Sequence, residues 1–378
     1  MATHSRLSAP EEFVSEWAVP PGDLLQLELE AAGYSQADIA TRAGVSAKHL
    51  NQVLRGHVPV SADIALALEQ VLDVPAELTL RMEGTWQASQ ARTAHLESLS
   101  KLGSWVQSFP QVVLRDRVGI GSTEPVDERV DKLLRFFKVT DVEAFRKVWL
   151  APQASYKRSQ KFEINANATA LWLRLAEVEA ERVLGAANSF DPVALRRAAA
   201  EIPPLTRLPI EEGFAQAQEL LRDCGVLLVF VSEIDGTRIC GASRWLRGKA
   251  PIVALTSRHK FLDIFWFTML HEIAHILLHP KRATYLDIEK KRGVKDDEDS
   301  LETEANRFAA ALLLDDASRA ALLESTSDDA LVELADAVGV SVGILAGQYG
   351  HLTGDWRKFG RLRTPIDLAP IVRTTLEP

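Results

Sequence analysis

The sequence predicts a mostly α-helical chain with one small β-sheet, an α+β protein of several domains, and three stretches carry that prediction. Between residues 21 and 83, Ser and Gly punctuate a series of short apolar-periodic segments, the pattern of small helices with caps at both ends. Residues 225–231 (Gly-Val-Leu-Leu-Val-Phe-Val) form a β-branched run suited to a buried strand, and residues 237–240 and 252–255 read as two further short strands. Residues 261–279 are long, apolar and free of Gly and Pro, which predicts a buried helix against that sheet.

The chain opens on a polar tail, 1–20, followed by a helical domain over 21–92. Gly22 and Asp23 start a helix carrying Leu24, Leu25, Leu27 and Leu29, and Gly33 breaks it. Ser35 is an N-cap with Asp38 three residues on, as in a capping box, and Gly44 stands just past the end of that helix. Ser46 caps the next, 47–54, closed by Gly56, and Ser61 caps another over 62–72. Two short helices joined by Ala43-Gly-Val-Ser46 make a helix-turn-helix pattern with the second as recognition helix. Its candidate DNA-contacting residues are Ser46, Lys48, His49, Asn51, Gln52 and Arg55, side-chain types that bond base edges and phosphates. No acidic residue occurs from Ile39 to Ala62, which leaves a carboxylate-free face on a chain of net charge −9. The stretch 35–56 resembles the Xre-type helix-turn-helix, and within it the HigA-like antitoxins, which implies double-stranded operator DNA as a partner. The basic set is thin, so we expect a homodimer reading two half-sites.

Residues 93–207 read as a helical connector. Helices are expected over 126–137, 141–149 and 166–184, and the aromatics there as core. Val118-Gly-Ile-Gly-Ser-Thr123 lacks the flanking strand, helix and Lys of a phosphate loop and reads as a turn.

The chemistry concentrates in 208–314. The run 261–279 contains His271-Glu-Ile-Ala-His275. Residues four apart share a helix face, so His271 and His275 have the spacing with which two imidazoles grip one Zn2+. Glu272 lies about 100° round the same turn, where a general base reaches water at a metal without being a ligand. A third ligand is expected from the helix over 301–314: Glu302, with Asn306 on its face, is preferred, and Glu304, about 200° away, reads as solvated. His279 lacks the six-residue offset of a third histidine ligand and reads as a supporting or surface residue. Tyr285, His259 and Arg258 stay open as candidates to stabilise an oxyanion or support the ligands. The charged stretch 283–300 reads as a solvated loop, with a flap over the groove as the alternative.

His271-Glu-Ile-Ala-His-Ile-Leu-Leu-His279, followed by Glu302-Thr-Glu-Ala-Asn-Arg-Phe-Ala-Ala-Ala-Leu-Leu-Leu314, resembles the ImmA/IrrE family of metallo-endopeptidases. The resemblance implies a zincin-like (gluzincin-type) domain with His271, His275 and Glu302 on zinc and Glu272 as catalytic base. Gly241-Ala-Ser-Arg-Trp-Leu246 also matches longer members, whereas Leu314-Asp315 departs from the Met-Pro or Ile-Pro usual in the family.

Residues 315–378 are expected to pack on the catalytic domain. Residues 327–347 repeat a helix, Gly turn and Ser-capped helix but offer no basic reading face, and 356–363 is basic and aromatic, equally suited to phosphate or to docking on the core. Hydrophobic residues make up 47% of the 378, ample for buried cores. Cys224 and Cys240 are expected as buried free thiols in a reducing, cytoplasmic setting, and no apolar run reaches membrane-span length. The expected function is a DNA-binding regulator with zinc-dependent endopeptidase activity on a protein substrate, a repressor or partner regulator, in stress, mobile-element or toxin–antitoxin control. The alternative is a HigA-like repressor or antitoxin whose C-terminal half is a non-proteolytic scaffold or sensor.

Overall fold

The structure, a computed structural model, describes residues 18–150, 165–258, 260–280, 284–288 and 300–371. The chain divides into two units, Met1–Gly103 with Pro125–Asp131, and Ser104–Glu124 with Lys132–Pro378.

The first unit holds α1 (Pro21–Ala31), α2 (Gln36–Arg42), α3 (Ala47–Leu54), α4 (Ala62–Leu72) and α5 (Ala76–Leu99). Ser35 and Asp38 close a capping box, each side chain accepting from the other's backbone N–H, and Ser46 and Ser61 cap α3 and α4. These bonds satisfy amides that the first helical turn leaves orphaned. Gly44 sits at φ +68°, the left-handed conformation that turns the chain sharply between α2 and α3. Leu25, Leu29, Ile39, Leu50, Val53, Ile64 and Leu68 meet in one core. The last helix, α5, continues unbroken through Arg92.

In the second unit, the expected helix over 141–149 is α only for Val142–Phe145 and widens into a π turn over Arg146–Leu150. Its aromatics are core, as expected: Phe109, Phe137, Phe145 and Trp149 are buried and meet edge-on or tilted. The helix Ala166–Val183 lies behind the sheet. Its Glu177 reaches Arg244 of the sheet at 3.0 Å and Arg174 of the preceding turn at 2.8 Å. A buried charge is tolerable when it is paired in this way.

The sheet has four strands, β1 (Leu227–Phe230), β2 (Ile239–Leu246), β3 (Ala250–Leu255) and β4 (Tyr285–Ile288), in the order β1-β3-β2-β4. The β1 and β3 strands run parallel, and the other two pairings are antiparallel. Two expectations need correction. The second strand starts and ends later than 237–240: a turn from Ile234 to Thr237 and the positive φ of Arg238 (53°) delay its start, and pairing with β3 carries it to Leu246. Residues 285–288, expected as part of a solvated loop, are an edge strand on β2. Most of the rest of that charged stretch, with its alternative as a flap, lies outside the described residues.

The helix Leu262–Leu278 packs across the sheet and shares one core with the C-terminal helices Asp328–Val338 and Val342–Thr353. Val342–Thr353 is buried from Gly343 to Gly350, as a packing element rather than a DNA reader. The basic stretch 356–363 docks on this core: Phe359 is buried, Arg361 pairs with Asp328, and Arg363 pairs with buried Asp263 at 2.8 Å. That pair, with the Leu262 N–H donating to Thr364, anchors the start of the helix carrying the His-Glu-x-x-His motif. Cys224 and Cys240 are buried free thiols. Among the described residues, no single helix is long and apolar enough to cross a membrane.

Candidate metal centre and helix-turn-helix face

The helix Leu262–Leu278 is apolar nearly all round; apart from Asp263 in its first turn, its ionisable groups lie in the sheet-facing third and fourth turns. His271 and His275 sit one turn apart and bring their Nε2 atoms to 2.9 Å of each other. The helix Ser300–Leu313 buries Ala305, Ala309 and Leu313, an i, i+4, i+8 stripe of small and branched side chains that permits close approach. Glu302, one turn ahead of Ala305, thereby comes over the histidine pair: its oxygens lie 3.3 Å from His271 Nε2 and 3.5 Å from His275 Nε2. The three groups form a cluster able to hold a metal ion. Asn306 is half-buried one turn after Glu302, and Glu304 is 62% exposed on another side of the helix.

Glu272 is fully buried, and neither carboxylate oxygen has a hydrogen-bond partner of good geometry. Burial pushes its carboxyl up to about 8; the charges of Asp287 and Glu302 add to the rise, and His271 and the neighbouring Ser243 hydroxyl oppose it. For His271, burial disfavours the charge, but the Glu302 hydrogen bond and the Asp287, Glu272 and Glu302 carboxylates outweigh it and bring the imidazole to about 9. Burial and the neighbouring His271 charge take His275 down to about 3, against Glu302, which keeps it in the neutral form that ligates. Unpaired carboxylate and imidazole groups at this depth are costly and mark a site built for a further positive charge.

The sheet brings in Tyr285, a candidate from the sequence, together with Gly241, Ser243 and Asp287, to which sequence reasoning gave no role at the site. In β2 and β4, Gly241 lies opposite Asp287 and Ser243 opposite Tyr285, on the face turned to the His271 helix. Asp287 accepts from the Thr268 hydroxyl at 3.3 Å. Tyr285 stacks on His275, ring centroids 4.3 Å apart at 12°. The alternation Tyr-Leu-Asp-Ile over 285–288 was the available signal for this strand, masked by the charges that follow it. Arg258 pairs with Glu233, and His259 lies outside the described residues.

Gly241 makes the room that Glu272 needs. A Cβ built there would lie 2.6 Å from Thr268 Cγ2 and 3.1 Å from Glu272 Cγ. Gly241→Ala is therefore expected to push the helix off the sheet and to cost about 1–3 kcal/mol of stability, as overpacking does. Thermal unfolding measures this; an unchanged melting temperature would show that the helix yields without cost.

In the first unit, Lys48 of α3 and Arg55, the residue that caps its C-terminus, are exposed to solvent. His49, Asn51 and Gln52 are half-exposed, and the Ser46 hydroxyl is committed to its cap. Asn51 donates to Gln36 of α2 at 3.0 Å, so two helices share one polar surface.

A small mixed sheet crossed by a helix bearing two histidines and a buried glutamate, with a carboxylate from the next helix, defines a metallopeptidase-like domain. Residues 231–347 match the peptidase family model described as IrrE N-terminal-like domain, and residues 25–78 match the helix-turn-helix model. The chain thus joins an Xre-like helix-turn-helix domain, of the kind that binds DNA in transcription regulation, to an IrrE-like metallopeptidase-family domain. No curated protein matches it.

Proposed function

We propose that this chain is a DNA-binding regulator whose C-terminal half is a zinc-dependent endopeptidase acting on a protein, a repressor or partner regulator. The observation that carries this reading is the convergence of His271, His275 and Glu302 beside fully buried Glu272. The donor set fits zinc. Ligand atoms about 2.0–2.2 Å from one tetrahedral ion stand about 3.3–3.6 Å apart; the Glu302 oxygens lie 3.3 and 3.5 Å from the imidazole nitrogens, and the two nitrogens, 2.9 Å apart, would open by a few tenths of an ångström around the ion.

His271, His275 and Glu302 would hold the ion, leaving a fourth position open. Bound there, zinc supplies Lewis acidity toward a scissile carbonyl and makes water a nucleophile near neutral pH. Glu272 takes the proton of the attacking water and delivers it to the leaving amine, a role suited to a carboxyl that burial holds near neutrality. Gly241 and Thr268 wall the space around that carboxylate. Tyr285, against His275, is the candidate we retain for the developing oxyanion.

The helix-turn-helix domain gives the peptidase an address. Bound at an operator as a homodimer, it raises the effective concentration of the peptidase beside other regulators on the same DNA, which favours such proteins as substrates. The setting is cytoplasmic. In cells expressing the wild type under stress, new protein N-termini are expected that are absent with Glu272→Gln. Identical N-terminal profiles under every condition tried, with regulation intact in the variant, would favour a repressor or antitoxin with a scaffold half instead.

DNA binding has its own expected result. Lys48→Ala and Arg55→Ala each weaken binding to the protein's own promoter at fixed salt, and each lowers the slope of log affinity against log salt by about 1 if it contacts a phosphate. Unchanged affinity in both variants removes α3 as the recognition helix.

A further inference from the structure

The histidines of the metal helix do not stop at the metal site. His271, His275 and His279 recur every fourth residue, and the third is buried, 7% exposed. Its Nδ1 lies 2.8 Å from Nδ1 of His275, on the side of the ring away from Glu302. Its Nε2 is buried without a hydrogen-bond partner of good geometry, and Glu304 Oε2 lies 3.4 Å from it. Tyr285 covers both rings, 4.3 Å from His275 and 5.4 Å from His279.

We propose that His279, backed by Glu304, is a positioning residue for His275, holding its imidazole in the one tautomer and orientation that present Nε2 to the metal. The proposal rests on the metal-site reading above, and the order of protons along the row supports it. A ligating Nε2 carries no proton, so neutral His275 carries it on Nδ1. That N–H donates to Nδ1 of His279, which must then be bare. The proton of neutral His279 therefore sits on Nε2, facing the Glu304 carboxylate. The His275 donor thus meets an acceptor, Glu304 Oε2 stands 3.4 Å from His279 Nε2, and the reverse arrangement, with His279 donating to Nδ1 of His275, would put a proton on the His275 nitrogen that must ligate. A ligating histidine needs such a partner for its second nitrogen, because it locks the ring and raises its basicity. Here a buried histidine does this work, and the acid that orients it comes from the helix that supplies Glu302, two residues on. One movement of that helix would shift the third ligand and the support of the second together.

The test is zinc affinity of the full chain by competition with a chelator, with the visible spectrum of the cobalt-substituted protein as a second readout that a merely structural role would not move. His279→Ala is expected to weaken zinc binding about 10- to 100-fold and to alter the cobalt spectrum. His279→Asn, whose side-chain oxygen can accept from His275 Nδ1, is expected to restore most of the affinity. Glu304→Ala, on an exposed side chain that can be removed without disturbing the core, is expected to shift affinity in the same direction by less. Wild-type affinity and spectrum in both His279→Ala and Glu304→Ala overturn the proposal and leave the metal site standing. Should His279→Ala fail to fold, Asn and Glu304→Ala decide: equal loss in His279→Asn and no effect in Glu304→Ala count against it. A wild-type chain that takes up neither zinc nor cobalt overturns the metal-site reading and this proposal with it.

Discussion

Purified without chelator or added zinc, the wild-type chain is expected to carry about one zinc per molecule, and His271→Ala and Glu302→Ala to carry none. The expectation rests on three groups, not on a motif. His271 and Glu302 come from helices separated in sequence, and the Glu302 oxygens stand 3.3 and 3.5 Å from the two imidazole nitrogens. Removing any one of three protein ligands leaves two, too few to hold the ion against its hydration. The apoprotein is also expected to melt at a lower temperature than the holoprotein, since zinc binds the folded site and not the unfolded chain. The stabilisation grows with free zinc as RT ln(1 + [Zn]/Kd), about 2.7 kcal/mol at one hundred times Kd. Retention of stoichiometric zinc in Glu302→Ala would move the third ligand elsewhere, and a metal-free wild type that added zinc does not refill would reduce the metallopeptidase-like domain to a scaffold.

Glu272→Gln is expected to keep its zinc and lose about 10²- to 10⁴-fold in the rate of peptide cleavage, the range assigned to a positioned acid–base group. The substitution preserves shape and removes the proton carrier. Glu272 is fully buried and its carboxylate has no hydrogen-bond partner of good geometry, so the change breaks no bond that holds the fold. Stability should hold or rise, because a buried carboxylate pushed up to about 8 resists ionisation and the neutral amide does not. The diagnostic combination is unchanged metal content, unchanged or higher melting temperature and lost turnover. Turnover equal to the wild type would assign the base elsewhere, and lost zinc would make Glu272 part of the binding set.

Much of this was legible in the sequence because the signals are local. Caps, turn glycines and 3.6-residue periodicity marked α2, α3 and α4, since each is decided by hydrogen bonds within a few residues. The four-residue spacing placed His271 and His275 on one face because a helix alone determines that. The interval from Ile39 to Ala62 without an acidic residue was likewise visible as composition. What came out differently was decided by partners distant in the chain. The strand Tyr285–Ile288 exists because β2 offers its edge, and beside the charged residues that follow, its alternation reads as loop. Whether 356–363 faced phosphate or core depended on Asp263 and Asp328, which lie 100 and 33 residues from the arginines that pair with them.

The sequence by itself determined most of the helices, the presence of the helix-turn-helix and metallopeptidase-like domains and the residue types of the candidate metal centre. Helical spacing favoured Glu302 over Glu304, but only tertiary structure decided how close each carboxylate comes to the histidines and that Asp287 joins them. Glu302 meets the Nε2 atoms of His271 and His275, Glu304 lies beside His279, and Asp287 comes in from the sheet. Helical periodicity orders residues around one axis; the distance between two axes depends on the small side chains of Ala305 and Ala309 and on the missing side chain of Gly241, whose effect appears only when the elements pack.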